Sequence, residues 1–337
     1  MKYSVTNLKN AFGTAVGLVK KGYAASQPVL DKSKQLVVAG KDRLVDVYGD
    51  VESSRVDINY NHLLNYYKKS GVAGEEKLSV LQTLCAIGGI NFGIVSNSGS
   101  GKTYCLDKLI DLLPDDGVYR LELSSKTAPF YDSENINKSN FVYIPELQKA
   151  MRSKSSDITE MLKNMAEGKP CKRIVTKSSG QDIQEITGDK TIFFTLANEN
   201  YFNPDKEFNR RYLMLETDDS RDQTEKILDL KIQNRNGYND SLLKPNELRA
   251  LRKHIGKCID MKVDFFNPYL EEITKKIPKT ILARSYTDHL FDLFDSSALF
   301  NYKDREQKEG RIVVEKKDVS LILKLYWEDF IEKVKDK

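Results

Sequence analysis

One eight-residue stretch, SNSGSGKT at residues 96–103, constrains the fold of this chain more than any other feature. It follows an apolar run at residues 90–95 that has the character of a buried strand, and it precedes residues 104–110, whose apolar spacing is helical. A strand, a glycine-rich turn and a helix start are the context in which the pattern G-x-x-x-x-G-K-[ST] binds phosphate. The stretch therefore predicts a phosphate-binding loop and a chain that binds a nucleoside triphosphate.

Different loop residues are expected to hold the triphosphate and its metal. Backbone N–H groups of small residues curl around the phosphates, and the following helix adds the positive end of its dipole. The residues expected to form this cradle are Ser98, Gly99, Ser100 and Gly101. Lys102 is expected to reach the β- and γ-phosphates of ATP, and the Thr103 hydroxyl to bind Mg²⁺. Ser96 stands where the first glycine of the pattern is usual.

The composition excludes several other classes of protein. Of 337 residues, 40% are hydrophobic and 30% are charged, which suits one large or two ordinary globular domains. The four cysteines form no C-x-x-C pair and the chain has three histidines, which argues against a zinc module or a disulfide framework. No apolar run approaches the roughly 20 residues of a membrane helix, so we expect a cytoplasmic protein with no membrane partner. At a net charge of +4, nucleic-acid binding would need local basic patches.

Five apolar, β-prone runs alternate with helical stretches from residue 76 onward. The runs cover residues 90–95, 117–123, 140–144, 191–196 and 211–215. This order predicts a parallel sheet with helices on both faces and the nucleotide at the carboxyl ends of the strands. We expect an α/β ATPase core at residues 76–220, a helical N-terminal arm at 1–75, and a region from 221 to 337 that is helical to its end.

Two elements interrupt the alternation between the third and fourth strands. Residues 156–168 have helical apolar spacing, and β-prone runs at 171–176 and 181–186 flank the turn KSSG at 177–180. The second element is therefore predicted to be a β-hairpin with a basic, exposed tip. The cations of this hairpin are Lys172, Arg173 and Lys177. They have the chemistry of contacts to a DNA backbone, although a solvated hairpin would carry them as well.

Polar side chains at three strand boundaries are candidates for hydrolysis. Glu146 follows the third strand and is the candidate general base and metal-site carboxylate, while Pro145 stands where a second acid is common. Asn198 follows the fourth strand, where an amide can orient the attacking water. Arg210 and Arg211 precede the fifth strand, and such an arginine can supply charge to the γ-phosphate bound by a neighbouring subunit.

From residue 76 to 335 the chain resembles an AAA+ ATPase. More narrowly, it is similar to the helix-2-insert group, which contains MCM helicases and helicase-like ATPases of phages, plasmids and genomic islands. The segments that carry the resemblance are 98–103, 144–148, 161–168 with the hairpin that follows, 195–198, 209–212, 290–300 and 314–319.

This resemblance implies a ring, expected to be hexameric, with ATP at subunit interfaces and a helical lid over residues 221–337. Asn198 would be sensor 1, Arg211 or Arg210 the arginine finger in trans, and Arg284 sensor 2. The hairpin around Lys177 would line the pore and hold the DNA backbone. The N-terminal zinc-bearing or primase domain usual in such proteins has no counterpart here, so loading and strand synthesis would require other replication proteins.

Three functions remain open from the sequence. The first is an ATP-driven DNA translocase or helicase in the replication of a mobile element or virus. The second is a replication initiator or loader whose ATP state controls assembly on DNA. The third is a protein remodeller whose pore hairpin holds polypeptide, which an aromatic hairpin tip would favour. A monomeric P-loop kinase would need neither the paired arginines nor the helical tail.

Overall fold

Five parallel strands form the central sheet of the computed structural model, which describes residues 56–115, 117–122, 128–151, 156–177, 180–197, 206–237 and 243–335. Numbered along the chain, they are β1 (Phe92–Ser96), β2 (Val118–Arg120), β3 (Phe141–Ile144), β6 (Thr191–Ala197) and β7 (Leu213–Glu216). Their order is β2-β3-β6-β1-β7, so β6 lies between β1 and β3. The predicted α/β fold with a five-stranded parallel sheet is confirmed, and each strand lies within a few residues of its expected position.

Thirteen α-helices lie in the described part of the chain. They are α1 (Tyr60–Lys69), α2 (Glu76–Gly88), α3 (Lys102–Ile110), α4 (Ala128–Tyr131), α5 (Ser133–Lys138), α6 (Leu147–Met151), α7 (Ser156–Ala166), α8 (Lys206–Asn209), α9 (Arg221–Arg235), α10 (Pro245–Asp260), α11 (Leu270–Lys276), α12 (Ala283–Phe300) and α13 (Lys316–Val334). Within the described ranges, none is long and apolar enough to cross a membrane.

Both faces of the sheet are buried, because alternate residues of a strand pack into different hydrophobic cores. In β6, Phe194 belongs to the core shared with α7 and α8, whereas Phe193 belongs to the core shared with α2, α12 and α13. Phe193 stacks on Phe92 of β1, with ring centroids 5.3 Å apart. A Cβ on Gly93 would lie 2.3 Å from the Phe194 ring, so this position of β1 has room only for glycine.

Helix α1 extends the core to residues before the predicted ATPase boundary. The Tyr66 hydroxyl donates to the backbone oxygen of Lys108 in α3 at 2.9 Å. The buried Tyr67 hydroxyl is hydrogen-bonded to Thr83 in α2, also at 2.9 Å. The helix therefore packs against the two helices that flank β1. Residues 1–55 of the predicted N-terminal arm lie outside the described residues.

A helix and a hairpin occupy the chain between β3 and β6, at the predicted positions. Helix α7 precedes an antiparallel pair formed by β4 (Cys171–Lys177) and β5 (Gly180–Ile186). Asn137 ties the hairpin to α5, because its side chain donates to the Glu185 backbone oxygen at 2.9 Å and accepts from the Thr187 N–H at 2.9 Å. The hairpin base is thus fixed by partly buried polar contacts, with Cys171 and Ile186 in the core.

The region after β7 is not wholly helical, and the prediction of helices to the end of the chain is wrong in one respect. Three short strands, β8 (Phe265–Phe266), β9 (Gln307–Lys308) and β10 (Arg311–Val313), form a second sheet in the order β8-β10-β9. The turn between β9 and β10 has positive φ at Glu309 (53°) and Gly310 (77°). Strands of two or three residues are too short to produce an alternating apolar pattern, so no sequence pattern predicts them.

A buried ion pair holds the last described helix to the first. Asp318 of α13 accepts two hydrogen bonds from Arg305, at 2.7 and 2.6 Å, and both side chains are 1% exposed. Asp318 also accepts from the Ser297 hydroxyl of α12 at 2.9 Å. Ser297 in turn accepts from the Tyr60 hydroxyl of α1 at 3.0 Å. One carboxylate therefore connects α1, α12 and α13.

Candidate nucleotide-binding site

The phosphate-binding loop lies between β1 and α3, as the sequence predicted. Gly99 and Gly101 have φ values of 84° and 89°, which L side chains rarely adopt. An added Cβ would meet no atom within 4 Å at either position, so the backbone conformation rather than space requires glycine. Ser96 is the last residue of β1 and pairs with Ala197 of β6. Because Ser96 lies in a strand, the loop does not need glycine there.

Lys102 is the buried cation at the centre of the loop. Its Nζ donates to the backbone oxygens of Ser96 at 2.8 Å and Asn97 at 2.5 Å, and lies 3.5 Å from the Ser100 hydroxyl. Burial lowers the pKa of Lys102, and the negative charge of Glu146 opposes that shift. The ammonium group is thus held among oxygen acceptors on the inner side of the loop. This is the position from which it can contact phosphate oxygens.

Glu146 faces the loop from the end of β3 in an unusual backbone conformation. Its φ is 48°, in the left-handed region, and its N–H donates to the Thr195 hydroxyl of β6 at 2.9 Å. The carboxylate is half exposed and is bonded to Lys149 of α6. Non-glycine residues in this region cost on the order of 1–3 kcal/mol and cluster at functional sites. Glu146 and Lys102 therefore both lie beyond the carboxyl ends of the parallel strands.

Two residues of the site were not expected from the sequence. The buried Gln148 accepts from the Ala197 N–H at 3.1 Å and so joins α6 to the end of β6. The Tyr143 hydroxyl is buried beside the Thr103 and Thr195 side chains, and among the described residues it has no hydrogen-bond partner of good geometry. Burial raises the pKa of Tyr143, so it stays protonated. A tyrosine within an apolar strand gives no sequence signal for this position.

The next residues lie at the edges of the site, and two of them, Asn198 and Arg284, were predicted from the sequence. Asn198 lies outside the described residues, and β6 is described as far as Ala197. Arg284 is exposed at the start of α12, in the C-terminal region. Asn97 of the loop donates to Asp219, which follows β7, at 2.6 Å. This bond connects the phosphate-binding loop to the start of α9 and was not predicted.

The two arginines before β7 have different surroundings. Arg211 is 19% exposed, donates through Nε to Glu167 at 2.8 Å, and donates to the backbone oxygen of Glu207 at 2.6 Å. Arg211 thereby ties the residues after α7 to α8. The backbone oxygen of Arg210 is 3.0 Å from Nε2 of His289 in α12, and Arg210 lines a groove of about 1130 Å³ beside β7.

Two of the three hairpin cations, Lys172 and Arg173, have described contacts. Lys172 forms an ion pair with Glu185 across the hairpin at 3.3 Å. The Arg173 guanidinium lies 5.0 Å from the ring centroid of Tyr131 in α4. Lys177 ends β4, and its side chain lies outside the described part. On the outer face of the hairpin, Ile174 and Ile183 pair across the strands and are 63% and 62% exposed.

The protein groups at the loop suit a hydrated Mg²⁺ bound partly by phosphates. Thr103 is exposed at the first turn of α3, and Glu146 is the acid that faces the loop. Within the described residues, no group of three or more His, Cys, Asp or Glu side chains converges. Mg²⁺ keeps several waters and binds nucleotide sites through few protein ligands. The Thr103 hydroxyl and the Glu146 carboxylate therefore suit this metal, and phosphate oxygens and water would complete its coordination shell.

A glycine-rich loop after β1, a buried loop lysine and an acid facing it define a P-loop nucleoside-triphosphatase. Residues 60–248 match the model of the MTBMA_p00010 P-loop domain family. The match covers more than half of the 337 residues, and the chain belongs to this family. No curated protein matches the sequence.

Proposed function

We propose that the chain is an AAA+ ATPase of the helix-2-insert group that forms a ring and moves DNA during the replication of a mobile element or virus. The observation that carries this proposal is the spatial arrangement of loop, acid and arginines around a sheet of order β2-β3-β6-β1-β7. The helix and hairpin between β3 and β6 are the elements that support the helix-2-insert assignment. In this proposal the lid comprises helices α9 to α13, within residues 221–337.

In this proposal, residues of the phosphate-binding loop and the acid after β3 act together in hydrolysis. Lys102 and Mg²⁺ on Thr103 would withdraw charge from the γ-phosphate, and Glu146 would polarise a water for in-line attack. Strand β6 lies between β1 and β3, and its last residue, Ala197, pairs with Ser96 at the end of β1. Asn198 follows Ala197 in the sequence, and in this proposal it orients the water.

The position of the arginines supports action between subunits. Leu213, at the start of β7, pairs with Phe92, at the start of β1, whereas the phosphate-binding loop begins after Ser96. The rise from Phe92 to Ser96 is about 13 Å at roughly 3.3 Å per residue. An arginine before Leu213 is therefore at the far end of the sheet from the loop of its own chain. We propose that it acts on the nucleotide of a neighbouring copy, which a closed ring provides.

The DNA contact is assigned to the hairpin. Lys172, Arg173 and Lys177 would contact backbone phosphates in the ring pore, with an affinity that falls steeply with salt. The Lys172–Glu185 pair is exposed, so a phosphate can compete for the lysine at little cost. A fluorescence titration with single-stranded DNA at several salt concentrations tests this role. Unchanged affinity and salt slope in Lys172→Ala and Lys177→Ala would remove the hairpin from DNA binding.

One observation favours a second candidate, the AAA+ protein remodeller. The exposed Ile174–Ile183 pair is apolar surface on the element that would face the pore. Apolar side chains hold polypeptide better than phosphate. If unfolded polypeptide, rather than DNA, stimulates the ATPase and Ile174→Ser abolishes that stimulation, the remodeller is the correct function.

The experiment that tests the ring motor is the ATPase rate against protein concentration, with and without single-stranded DNA, while mass is monitored. A steep concentration dependence, stimulation by DNA and a ring-sized mass are expected. Slow turnover with stoichiometric assembly on DNA would instead identify the initiator or loader. A flat rate from a monomer, indifferent to DNA, would contradict the ring and leave a P-loop NTPase of another kind.

A further inference from the structure

The ring of Tyr143 lies between the side chains of its two partners in the sheet. In the register of the parallel strands, Arg120 of β2 and Phe193 of β6 flank Tyr143 of β3. The Arg120 guanidinium lies 5.4 Å from the centroid of the tyrosine ring, and the Phe193 ring stacks on it with centroids 5.6 Å apart. Because Tyr143 is also 1% exposed, its ring and therefore its phenol oxygen have a fixed place.

This oxygen lies between the sheet and the helix that begins at the phosphate-binding loop. Alternate residues of a strand point to opposite faces of the sheet. Tyr143 belongs to the core that contains Leu106 of α3, whereas Ile144 belongs to the opposite core. The Tyr143 hydroxyl lies beside Thr103, in the first turn of α3, and beside Thr195 of β6. It is thus close to the residue that we have assigned to Mg²⁺.

The hydrogen-bonding capacity of this hydroxyl is unused. Its oxygen is buried and has no partner of good geometry in the described part of the chain. Burial raises the pKa of Tyr143, so the phenol keeps its proton and offers one donor together with acceptor lone pairs. Thr195 accepts from the Glu146 N–H at 2.9 Å and has a second lone pair. Hydrogen bonds of a catalytic site are often long in the free enzyme and tighten only in the complex.

The sequence leaves the Thr103 hydroxyl in need of an acceptor. A hydroxyl that binds a cation through an oxygen lone pair still has its proton to donate. Pro145, two residues after Tyr143, stands where a second acid is common, and its side chain cannot accept a hydrogen bond. The phenol oxygen of Tyr143 is a buried acceptor beside Thr103. It can therefore do what a carboxylate at position 145 would do, without adding a negative charge.

We propose that Tyr143 is a positioning residue, whose hydroxyl accepts a hydrogen bond from the Thr103 hydroxyl and so orients the Thr103 oxygen toward Mg²⁺. The Tyr143 O–H donates in turn to Thr195, which also accepts from the Glu146 N–H. One line of hydrogen bonds then connects the metal-binding hydroxyl to the general base. The inference rests on the proposed contact between Thr103 and Mg²⁺, and it requires neither the ring nor DNA.

Loss of the phenol oxygen should weaken the Mg²⁺-dependent part of nucleotide binding. Groups that hold a metal ligand in place typically contribute roughly 10- to 100-fold to metal affinity. Because this group is neutral and acts on one ligand, we expect Tyr143→Phe to need about 10-fold more Mg²⁺ for the same effect. Nucleotide binding without the metal should be unchanged, since Lys102 and the backbone of the loop are left intact.

The test measures the affinity for a fluorescent ATP analogue in EDTA and over a series of Mg²⁺ concentrations. Tyr143→Phe keeps the ring between Arg120 and Phe193 and removes only the oxygen. Tyr326→Phe is the matched control. Tyr326 is also 1% exposed, has Lys333 over its ring at 5.3 Å, and carries a buried hydroxyl with no partner within the described ranges, but it lies in α13. Circular dichroism checks that each variant is folded.

We expect Tyr143→Phe to bind the analogue like the wild type in EDTA and to show the shifted Mg²⁺ dependence. Tyr326→Phe should match the wild type in both conditions. Thr103→Ala should itself weaken the response to Mg²⁺. In that background Tyr143→Phe should cause no further loss, because the phenol acts through the Thr103 hydroxyl.

Several results would overturn the inference. A wild-type response to Mg²⁺ in Tyr143→Phe, or equal losses of affinity in EDTA and in Mg²⁺, would make the hydroxyl merely structural. An additional loss in the Thr103→Ala background would show that the phenol acts on another group. If Thr103→Ala leaves the response to Mg²⁺ unchanged, the proposed contact between Thr103 and the metal fails, and this inference fails with it.

Discussion

The Glu146 N–H donates to the Thr195 hydroxyl at 2.9 Å, so the turn after β3 is attached to β6. Thr195 is 1% exposed and its strand is paired on both sides, which makes it a rigid acceptor. The general base that we propose is thus positioned by a side chain on the neighbouring strand. We expect Thr195→Val, which keeps the shape and removes the acceptor, to lower kcat by about 10-fold or more. Thr195→Ser keeps the hydroxyl and is the control; equal kcat values in ATPase assays of both would contradict the role.

Lys102→Ala should abolish nucleotide binding, because the substitution removes the cation held inside the loop. The Lys102 ammonium already lies among three loop oxygens, so little rearrangement is needed for it to meet a phosphate. Binding of a fluorescent ATP analogue measures the effect. Lys108→Ala, which removes an exposed ion pair with Asp111 on the same helix, is the control and should bind normally. Normal binding by Lys102→Ala would exclude the loop as the phosphate site.

Substitutions of Glu146 should separate catalysis from backbone strain. Glu146→Gln should bind ATP and lose roughly 10²- to 10⁴-fold in hydrolysis, the usual contribution of a general base. Glu146→Gly and Glu146→Ala should be equally inactive, but the glycine variant should be more stable, by about 1 kcal/mol, because glycine accepts a φ of 48° without strain. Thermal or urea unfolding measures the difference. A more stable alanine variant would show that the left-handed conformation carries no cost.

Arg211→Ala should lower stability, whereas Arg210→Ala should lower activity. Arg211 holds Glu167 and Glu207 together, so its loss removes a tie between the end of α7 and α8. The drop in melting temperature should shrink at high salt, because exposed ion pairs are screened. Arg210→Ala should reduce kcat in the assembled protein. The reverse pattern would make Arg211 the arginine that acts in trans.

The stability of the C-terminal helices should fall as the pH rises from about 4 to about 7. Burial, with a smaller effect from Asp292, raises the pKa of Asp295 to about 7, while burial and Asp288 raise that of Asp292 to about 6. The unfolded chain releases these protons near pH 4, so the folded state binds more protons in this window and loses stability as they leave.

Asp295→Asn should remove much of this slope. The variant should unfold at a higher denaturant concentration than the wild type at pH 8 and at a similar one at pH 4. Asp229→Asn, at an exposed position of α9, is the control and should leave the slope unchanged. A wild-type slope in Asp295→Asn would mean that this carboxyl is ionised in the folded protein at low pH.

The parts of the fold that the sequence predicted are those with strong local signals. Long apolar runs located the five strands of the main sheet, and 3.6-residue periodicity located α7, α10, α12 and α13. The hairpin was predicted from two β-prone runs and a turn. The fifteen-residue α9 lies in the region predicted to be helical, but no apolar pattern located it, because it buries a single residue, Gln223, and has no continuous apolar stripe. Strands β8, β9 and β10 were missed because they are two or three residues long.

The parts of the site that the sequence did not predict depend on where each side chain and backbone group points, and not on residue type. Adjacent arginines look alike in a sequence, and tertiary packing determines that Arg211 binds Glu167 while His289 holds the Arg210 backbone. The backbone conformation of Glu146 and the attachment of Gln148 to Ala197 likewise depend on a neighbouring strand. The residues of the phosphate-binding loop, by contrast, form one contiguous stretch, SNSGSGKT, so the position of Lys102 at the start of α3 could be predicted from the sequence.

The Asp318 connection between α1, α12 and α13 has a consequence for the synthesis of the protein. The core that contains α1 and α2 is completed by Tyr326, Phe330 and Val334 of α13. Val334 lies 118 residues after Glu216, the end of β7, and at about 5–20 residues per second this stretch takes on the order of ten seconds to translate. During that interval the part of this core that α13 covers in the folded protein stays exposed. A nascent chain of this protein therefore passes through a stage in which chaperones have an exposed face to bind, and that stage ends only when α13 emerges.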